Sequence, residues 1–337
     1  LVDALGYYAD NNADDITFFY ETAAKKLISD DDGNLIGVSG ICKGNKKIDL
    51  FASNVVLASG GFEGNSEMLS HYVGPQAQFI RPVSRGGHYN RGEGIQMALE
   101  AGAASCGDFS SFHAQPVDPR SKDMEPVVLN YSYGLLINET GRRFTDEAPA
   151  LVDSTYEAVT RIIMQQKNGI GFAVFDNKLD DIDNWNATVR TRVAPYQANT
   201  LEELASLIQI PSEEFLRTVN DFNKACPDNQ GDFDPLKPDG LKTDGLPLQK
   251  SNWSRPLTEA PFRAWPIICS NCFTFGGIKI DERARVINTE GDVIPGLYAA
   301  GEVAGIYYRT YTGATSVMRG AVTGRLAGND ASLRRNS

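Results

Sequence analysis

The N-terminal third of the chain alternates short apolar runs with turn residues, which is the pattern of β-strands. It predicts a strand over Leu35–Cys42, a second strand ending near Phe51 and a buried strand in "NVVLAS" at residues 54–59. Gly60 and Gly61 stop the third strand. This part of the chain is therefore predicted to form a β-meander that leads into a buried strand.

Apolar residues spaced three or four apart predict helices on both sides of this meander. Residues 1–28 predict a helix that enters an ongoing fold, "SEMLSHYV" a short helix, and "GEGIQMALEAGA" a longer one. Gly102 is predicted to cap the C-terminus of the longer helix. The residues predicted on its buried side are Ile95, Met97, Ala98 and Ala101.

From about Phe112 to Trp265 the pattern changes to mixed helices and strands. Strands are predicted at "GLLIN" and "GFAVFD", and helices at "STYEAVTRIIMQQK", "TLEELASLI" and "PSEEFLRTVNDFNKAC". Residues 227–256 are rich in Pro, Gly and Asp and predict a long irregular segment. Near Phe273 strands return at "GGIKID", "ARVIN" and "GLYAAGE", followed by a closing helix, "TSVMRGAVTGRLAGNDAS".

Strand-helix units at both ends thus enclose a compositionally distinct middle. This order is typical of an α/β nucleotide-binding domain that carries an inserted α+β cap. We predict that residues 1–111 and 273–337 form the nucleotide-binding domain and that residues 112–272 form the cap.

Composition narrows the classes of function. The 337 residues are 42% hydrophobic and 22% charged, with a net charge of −11. No run approaches about 18 apolar residues, so no membrane insertion is expected. Without a Lys/Arg block, binding to nucleic acid is not expected either. A protein this acidic that handles anions must concentrate its positive charge in a pocket.

The five cysteines are scattered along the chain, which argues against a disulfide framework and for a reducing compartment, the cytoplasm. Cys269 and Cys272 form a C-x-x-C, which can mark a redox pair or half a metal site. The alternative, two small residues in the strand-like run "WPIICSNCFTF", is favoured because the chain has three histidines and no second C-x-x-C. No metal is predicted.

Two loops carry candidate cofactor contacts. Gly60 and Gly61 follow a strand, where the missing Cβ lets a backbone approach a bulky ligand; a plain turn is the alternative. Glu302 follows the small residues Ala299, Ala300 and Gly301, so its carboxylate can accept hydrogen bonds from a ribose or ribitol hydroxyl.

The closing helix provides a third candidate contact. Thr315 or Ser316 is predicted at its N-cap, with free amide groups and the positive end of the helix dipole in front. The negative edge of a reduced flavin would be favoured there, and a capped helix that binds nothing is the alternative.

Five segments in order resemble the fumarate reductase/succinate dehydrogenase flavoprotein superfamily. They are "VVLASGGFEGNSEM", "NRGEGIQMALEAGA", "LLINETGRRFTDE", "FTFGGIKIDERARV" and "IPGLYAAGEVAG…YTGATSVMRGAVTGRLAG". The resemblance implies an FAD-binding domain of the Rossmann-like, glutathione-reductase type, with a cap over the flavin. By position it implies FAD contacts at Gly60, Gly61, Gly92, Glu93, Gly301 and Glu302, and at the backbone of Thr315, Ser316 and Val317.

Within the superfamily, "IRPVSRGGHYNRGEGIQMALEAGA", "SFHAQPVDPRS" and "KSNW" look most like tricarballylate dehydrogenases. Members begin with a βαβ unit whose G-x-G-x-x-G loop holds the FAD pyrophosphate. That unit is absent here and would precede Leu1. We therefore expect an N-terminally incomplete FAD domain and a missing N-terminal segment as a partner.

The polar positions of fumarate reductases are changed. Their proton-donating Arg falls at Leu151 or Val152, one His matches Phe273, a second Arg matches Tyr311, and a second His matches Gln115. Fumarate reduction by that proton relay is therefore not predicted. Tyr311 resembles a ketosteroid dehydrogenase Tyr that donates a hydrogen bond to a substrate carbonyl; an aromatic wall over the flavin is the alternative.

Cationic groups for a carboxylate substrate come from one loop system and its neighbours. The candidates are Arg81, Arg85, His88, His113, Arg120 and Arg309. We predict catalytic roles for Tyr311, His113, Gln115, Arg85 and Arg309, with His113 as base or hydrogen-bond donor.

These features together predict an FAD-dependent oxidoreductase that moves a hydride between flavin N5 and a C–C bond of a small carboxylate such as tricarballylate. Because no haem or Fe–S cysteine spacing is present, a separate electron acceptor or donor protein is expected. A ketosteroid dehydrogenase with an apolar pocket and a non-catalytic scaffold module are the alternatives.

Overall fold

The computed structural model describes residues 2–12, 14–229 and 233–334. Helix α1 spans Val2–Asn11 and is followed by strand β1, Thr22–Ser29. The helix predicted over residues 1–28, of which Leu1 and Ala13 lie outside the described residues, is thus wrong in its second half. The helix-favouring "TAAKK" is held as a strand because strand β2, Leu35–Cys42, pairs with it in antiparallel register, with a bulge at Lys25.

The predicted antiparallel pairing of β2 with β3 is confirmed, but the third strand of this sheet is β1, in the order β1-β2-β3, and the predicted strand over residues 54–59 belongs to another sheet. Strand β2 spans Leu35–Cys42 and β3 spans Lys46–Phe51. Leu27 of β1 and Leu35 of β2 are buried in the same core cluster. The sheet therefore packs against the core of the region predicted to bind a nucleotide.

A second sheet brings the two predicted cofactor loops together. Strand β4, Val55–Leu57, runs parallel to a later strand, Val293–Ala299, in the register Leu57 opposite Ala299. Because parallel strands end at the same edge of a sheet, Gly60 and Gly301 follow at one place. The prediction that this strand is buried is only partly right: Leu57 is buried, but Val56 is 42% exposed, since no described strand pairs with the other edge of β4.

Helices α2, Ser66–Tyr72, and α3, Glu93–Glu100, confirm the two predicted helices of this region. Ile95, Met97 and Ala98 are buried as expected, but Ala101 is exposed. The reason is that the helix already ends at Glu100. Gly102, with φ +89°, then turns the chain away as predicted.

The central sheet consists of four strands in a row and two that pair with its long strand. Strand β11, Phe262–Thr274, is 13 residues long; its first part pairs with β10 and β9, and its last part with β7 and β5. The other members are β5 (Arg81–Pro82), β7 (Phe112–Val117), β8 (Leu135–Asn138), β9 (Ile170–Phe175) and β10 (Tyr196–Ala198). Of these strands, sequence patterns indicate β8, β9 and residues 265–274 of β11.

Three helices pack around this sheet and confirm the helices predicted for the middle of the chain. They are α4 (Val152–Met164), α5 (Leu201–Leu207) and α6 (Ser212–Ala225). The remaining elements are the small pair β6 (Ser105–Cys106) and β12 (Gly277–Ile278), the strands β13 (Arg285–Ile287) and β14 (Val293–Ala299), and the closing helix α7 (Thr315–Arg334).

Residues 227–256 contain no helix or strand in their described part, which excludes residues 230–232. Buried polar contacts order the segment instead. The Lys250 Nζ donates a hydrogen bond to the Gly134 oxygen at 2.5 Å, and the side chain of Asn252 donates to the Ala148 oxygen at 2.8 Å. Burial lowers the pKa of Lys250 to about 8.

No helix in the described parts of the chain is long and apolar enough to cross a lipid bilayer. Over the same residues, no group of three or more His, Cys, Asp or Glu side chains is arranged to hold a metal ion.

Candidate functional site

A carboxylate lies at the point where strands β4, β11 and β14 end. Glu302 Oε1 accepts hydrogen bonds from the amide of Thr274 at 2.7 Å and from its hydroxyl at 3.2 Å. The Thr274 Oγ1 accepts in turn from the amide of Phe62 at 3.2 Å. These bonds tie the loop after β4 to the loop after β14, and they fix the position of the Glu302 carboxylate.

Gly61 is the residue that lets these two loops approach. A Cβ added to Gly61 would lie 2.1 Å from Glu302 Oε1 and 2.1 Å from Thr274 Oγ1, closer than Cβ atoms come to other atoms. The neighbouring Gly60 has φ +80°, a left-handed conformation that favours glycine. Gly61 is thus required here by the packing of Glu302, and Gly60 is favoured by its backbone conformation and by the nearby Asn90 side chain.

The two other predicted glycine positions lie close by. Gly301 has φ +70°, and its amide donates to Thr323 Oγ1 of α7 at 2.9 Å. The Gly92 amide donates to the Gly61 oxygen at 2.9 Å, while its Cα faces Phe62 and Met68. Glu93 then begins helix α3.

A second carboxyl group, which sequence reasoning missed, lies beside Glu302. Glu63 is 3% exposed; its Oε1 accepts from Asn90 Nδ2 at 2.5 Å, and its Oε2 is buried with no hydrogen-bonding partner in the described chain. Burial, followed by the charge of Glu302, raises the pKa of Glu63 to about 8. Burial also raises the pKa of Glu302. The two acids therefore carry less than two negative charges at neutral pH.

We expect Glu63 to make folding pH-dependent. Between pH 4.5, its ordinary pKa, and about pH 8, the folded protein holds a proton that the unfolded chain has lost. The free energy of unfolding should therefore fall as the pH rises through this window and level off above it. Glu63→Gln should flatten the dependence of urea midpoints on pH, whereas replacing the exposed Glu67 by glutamine should leave it unchanged. Equal pH dependence in the wild type and Glu63→Gln would contradict this assignment.

The N-terminus of α7 opens toward solvent on the same side of the molecule. The helix begins at Thr315, so Thr315 and Ser316 lie in its first turn and the predicted N-cap is wrong. Ala314, with φ +64°, precedes the helix and offers no capping oxygen. Val317 is 63% exposed, and no side chain of the described residues accepts a hydrogen bond from its amide. The Val317 amide therefore remains available to a ligand, whereas the Thr315 amide donates to the Thr312 oxygen at 3.3 Å and the Ser316 amide to the Tyr311 hydroxyl at 3.4 Å.

A buried arginine on α7 connects this turn to the site. Arg319 is 6% exposed, and its guanidinium lies 4.7 Å from the ring centroid of Tyr307 and 5.4 Å from that of Phe273. Burial lowers its pKa, and the Glu302 charge opposes that shift. Sequence analysis missed Arg319; the only signal for it was a charged residue on the apolar side of the closing helix.

Aromatic rings surround the predicted catalytic residues. The rings of His113 and Tyr311 are 4.4 Å apart, and each packs against Phe273, at 5.2 and 5.0 Å respectively. The Tyr311 hydroxyl lies 3.1 Å from Ser316 Oγ, in the first turn of α7. Tyr311 therefore joins the open end of α7 to the aromatic cluster.

His113 and Gln115 lie on strand β7, two residues apart and so on one face. The His113 Nε2 lies 3.2 Å from the Tyr156 hydroxyl and its Nδ1 3.5 Å from Glu157 Oε2. The Gln115 Oε1 is buried without a hydrogen-bonding partner among the described residues. Tyr156 and Glu157, on helix α4, had carried no signal in the sequence.

Two of the arginines proposed for a carboxylate substrate are already occupied. Arg81 donates to three main-chain oxygens, of which the Asp118 oxygen is nearest at 2.9 Å. Arg120 forms a two-point ion pair with the Asp118 carboxylate. Both guanidinium groups stabilise the loop after β7, which leaves them less available to a substrate than the unpaired arginines, although Arg81 lines the same cavity as Arg85.

Arg85 and Arg309 make no ion pair with any described residue. Arg85 and His88 line an open cavity of about 360 Å³ together with Lys122 and Asp123. Arg309 is exposed and has φ +58°. Their charges remain available to an anion.

The two cysteines of the C-x-x-C lie in strand β11, as the strand-like pattern predicted. Cys269 packs with Phe112 and Met164, whereas Cys272 packs beside Phe273 in another cluster. Both thiols are free, and burial raises the pKa of each. This environment disfavours thiolate chemistry.

Comparisons with known proteins agree with this architecture. Residues 3–317 match the family described as FAD binding domain. NADH:acrylate oxidoreductase of Vibrio harveyi is 30% identical over 322 residues, which cover 93% of this chain and 30% of that protein. This chain thus spans about a third of the length of that relative.

Solved structures show the same fold. An open flavocytochrome c3 fumarate reductase has a TM-score of 0.79 and 24% identity, covering 98% of this chain and 54% of that one. A 3-ketosteroid-Δ4-(5α)-dehydrogenase from Rhodococcus jostii RHA1 has a TM-score of 0.62 and 25% identity, covering 92% and 59%. This chain again spans less than two thirds of each protein.

Proposed function

The chain belongs to the FAD binding domain family, and from that membership we propose that it is part of an FAD-dependent oxidoreductase acting on a C–C bond. One observation supports the proposal most strongly. The 3.1 Å contact between Tyr311 and Ser316 places a polar phenol next to the open first turn of α7. A substrate bound against Tyr311 would therefore lie next to a cofactor bound at the first turn of α7.

The residues present fit FAD. The partly exposed Glu302 carboxylate would accept hydrogen bonds from sugar or ribityl hydroxyls, and Gly60, Gly61 and Gly301 leave the approach to it clear. The first turn of α7, Thr315 to Val317, would face the negative edge of the ring system. FAD supplies a two-electron centre that accepts or returns a hydride.

We propose a small carboxylate, of which tricarballylate is the example, as the substrate class. The unpaired Arg85 and Arg309 would hold carboxylates, and Tyr311 would donate a hydrogen bond to the reacting substrate. His113 and Gln115 would complete the site, over which residues 112–272 form a cap. The names of the relatives, which refer to acrylate and fumarate, are in keeping with short unsaturated acids.

The proposed reaction also requires an electron-transfer partner and a cellular compartment. Electrons would come from or go to a separate protein. The five cysteines are all free, as expected for a reducing compartment, and we propose the cytoplasm.

A ketosteroid-type dehydrogenase is the second candidate, because aromatic rings surround Tyr311. Phe273, Tyr307 and His113 pack against it, and the Arg319 guanidinium lies over the Phe273 and Tyr307 rings, so the immediate surroundings of Tyr311 are mostly aromatic. An apolar ring system would fit such walls better than a tricarboxylate does. The Rhodococcus jostii structure supports the same candidate.

Anaerobic absorbance spectra test both candidates. The protein is expressed from its natural gene, purified with its flavin, and mixed with tricarballylate or with the saturated steroid 5α-androstane-3,17-dione. Loss of the flavin absorbance with tricarballylate is expected. Loss with the steroid alone would favour the second candidate, and a folded protein that purifies without flavin would overturn the proposed function.

Removing one oxygen from Tyr311 should slow the chemical step. We expect Tyr311→Phe to lower the rate of flavin reduction by about 100-fold, because a preorganised hydrogen-bond donor acts mainly in the transition state. The substrate concentration for half-maximal rate should change much less. Stopped-flow absorbance measures both. Tyr308→Phe, at an exposed residue whose hydroxyl accepts from the Gly107 amide, is the matched control.

A further inference from the structure

His113 lies between a phenol and a carboxylate that helix α4 provides. Its Nε2 is 3.2 Å from the Tyr156 hydroxyl oxygen, and its Nδ1 is 3.5 Å from Glu157 Oε2. His113 is 5% exposed, and Nδ1 has no hydrogen-bonding partner within the described residues. The Glu157 carboxylate is therefore the acceptor within reach of a proton on Nδ1.

Arg161, one helical turn after Glu157, fixes this carboxylate. Its Nη2 donates to Glu157 Oε1 at 2.8 Å and also to the main-chain oxygen of Phe112. The guanidinium stacks on the Phe112 ring at 4.9 Å. Since Phe112 precedes His113 on β7, Arg161 ties Glu157 to the strand that carries the imidazole.

This arrangement selects one tautomer of His113. A carboxylate oxygen only accepts hydrogen bonds, so Glu157 favours the form with the proton on Nδ1. The Nε2 lone pair then accepts from the Tyr156 hydroxyl. Burial, with additions from Cys272 and Glu157, raises the pKa of Tyr156 to about 12, so the phenol keeps its proton at neutral pH.

We propose that Tyr156, His113 and Glu157 form the proton relay of this enzyme, an inference that rests on the proposed function. In the oxidative direction, the Tyr156 oxygen takes the proton released by the substrate carbon while its own proton passes to His113 Nε2. The imidazolium that forms is balanced by the Glu157 carboxylate. FAD, when bound, would supply the acceptor for the hydride from the neighbouring carbon, so protons and electrons would balance; in the reductive direction Tyr156 and His113 would pass the proton the opposite way.

The charged and titratable groups around the relay are consistent with this assignment. Tyr311 lies on the other side of the imidazole, with ring centroids 4.4 Å apart, and would orient the substrate. Arg161, Asp153, Cys272 and the fully buried Tyr131 also act electrostatically on the relay. In this scheme Tyr156 is the group that meets the substrate, and Glu157 is a positioning residue that acts through His113.

Nitrogen-15 NMR of the histidines tests the relay without any substrate. The chain has three histidines, so His113 can be assigned by its loss in His113→Gln. The flavin-loaded wild type should show the Nδ1-protonated tautomer, and Glu157→Gln should shift His113 toward the Nε2-protonated form. An Nε2-protonated wild type, or the same tautomer in both proteins, would overturn the proposal.

Stopped-flow flavin reduction with tricarballylate tests the transfer itself. Tyr156→Phe should slow reduction by about 100-fold or more and abolish its solvent deuterium isotope effect, with little change in half-saturation. Glu157→Gln should slow flavin reduction less than Tyr156→Phe does, and it should shift the pH dependence of the reduction rate. Tyr133→Phe, a half-buried cap phenol bonded to the Pro235 oxygen, is the matched control. Wild-type rates in Tyr156→Phe would overturn the relay.

These outcomes separate the relay from the proposed function. If the wild-type flavin is not reduced by tricarballylate or by the steroid, the proposed function fails, and the NMR comparison still decides whether Glu157 sets the tautomer. If the flavin is reduced but Tyr156→Phe behaves like Tyr133→Phe, the relay fails and the proposed function stands.

Discussion

Glu147→Gln should lower the free energy of unfolding by about 3–5 kcal/mol, the range for breaking one side of a buried ion pair. Glu147 is fully buried and receives two hydrogen bonds from Arg143, which is itself 6% exposed. Lys250, also buried, lies close enough for the Glu147 charge to raise its pKa against the larger effect of burial. Glutamine keeps the shape but leaves the buried Arg143 without its carboxylate partner and removes the larger of the two carboxylate charges, Glu147 and Asp146, that act on Lys250.

A matched control exists on the surface of the same region. Glu214 also binds two arginines, Arg142 and Arg217, but these are 64% and 55% exposed. Glu214→Gln should cost at most about 1 kcal/mol, because water screens such pairs. Urea unfolding at neutral pH measures both variants, and equal losses would contradict the distinction between the two clusters.

Gly61→Ala should weaken FAD binding on the order of 100-fold, about 2.7 kcal/mol. The added methyl would overlap both the Glu302 carboxylate and the Thr274 hydroxyl at 2.1 Å, so Glu302 must leave the position from which it would receive cofactor hydroxyls. Fluorescence titration of the apoprotein with FAD gives the affinity. Circular dichroism of the same sample shows whether the variant is folded.

Gly328→Ala provides the comparison. Gly328 lies in helix α7, where an added Cβ meets no atom within 4 Å, and alanine favours a helix over glycine. Its affinity for FAD should equal that of the wild type. If a folded Gly61→Ala binds FAD as tightly as Gly328→Ala does, Glu302 is not a cofactor contact.

The sequence predicted the fold well where hydrophobic periodicity was strong. The meander, helices α2 to α7 and the strands around Glu302 follow local patterns that the tertiary structure keeps. It failed at β1, whose alanines and lysines favour a helix, and at the two-residue strands β5 and β6. Those strands exist because a neighbouring strand pairs with them, which no local pattern can show.

The candidate site was predictable only where residue type and spacing were unusual. The glycines and Glu302 stood out because small residues surround a carboxylate, whereas Glu63, Tyr156 and Glu157 look like ordinary members of a loop and a helix. Arg81 and Arg120 show the opposite difficulty, because both looked like candidate substrate contacts in the sequence. The main-chain oxygen of Asp118 that Arg81 binds lies 37 residues away in the chain, and the Asp118 carboxylate that Arg120 binds lies on the same turn. Such partners become visible only in three dimensions.

Strand β11 should tolerate neither insertion nor deletion of a residue. Its first residues pair with β10, and its last residue, Thr274, holds Glu302. Because side chains alternate between faces, deleting one residue would turn every later side chain to the opposite face and pull Thr274 back by about 3.3 Å. The irregular segment before β11, residues 227–256, can accommodate an inserted residue. The same insertion within β11 would disturb both the pairing with β10 and the position of Glu302. Families of this kind should therefore diverge in the loops while β11 keeps its residue count.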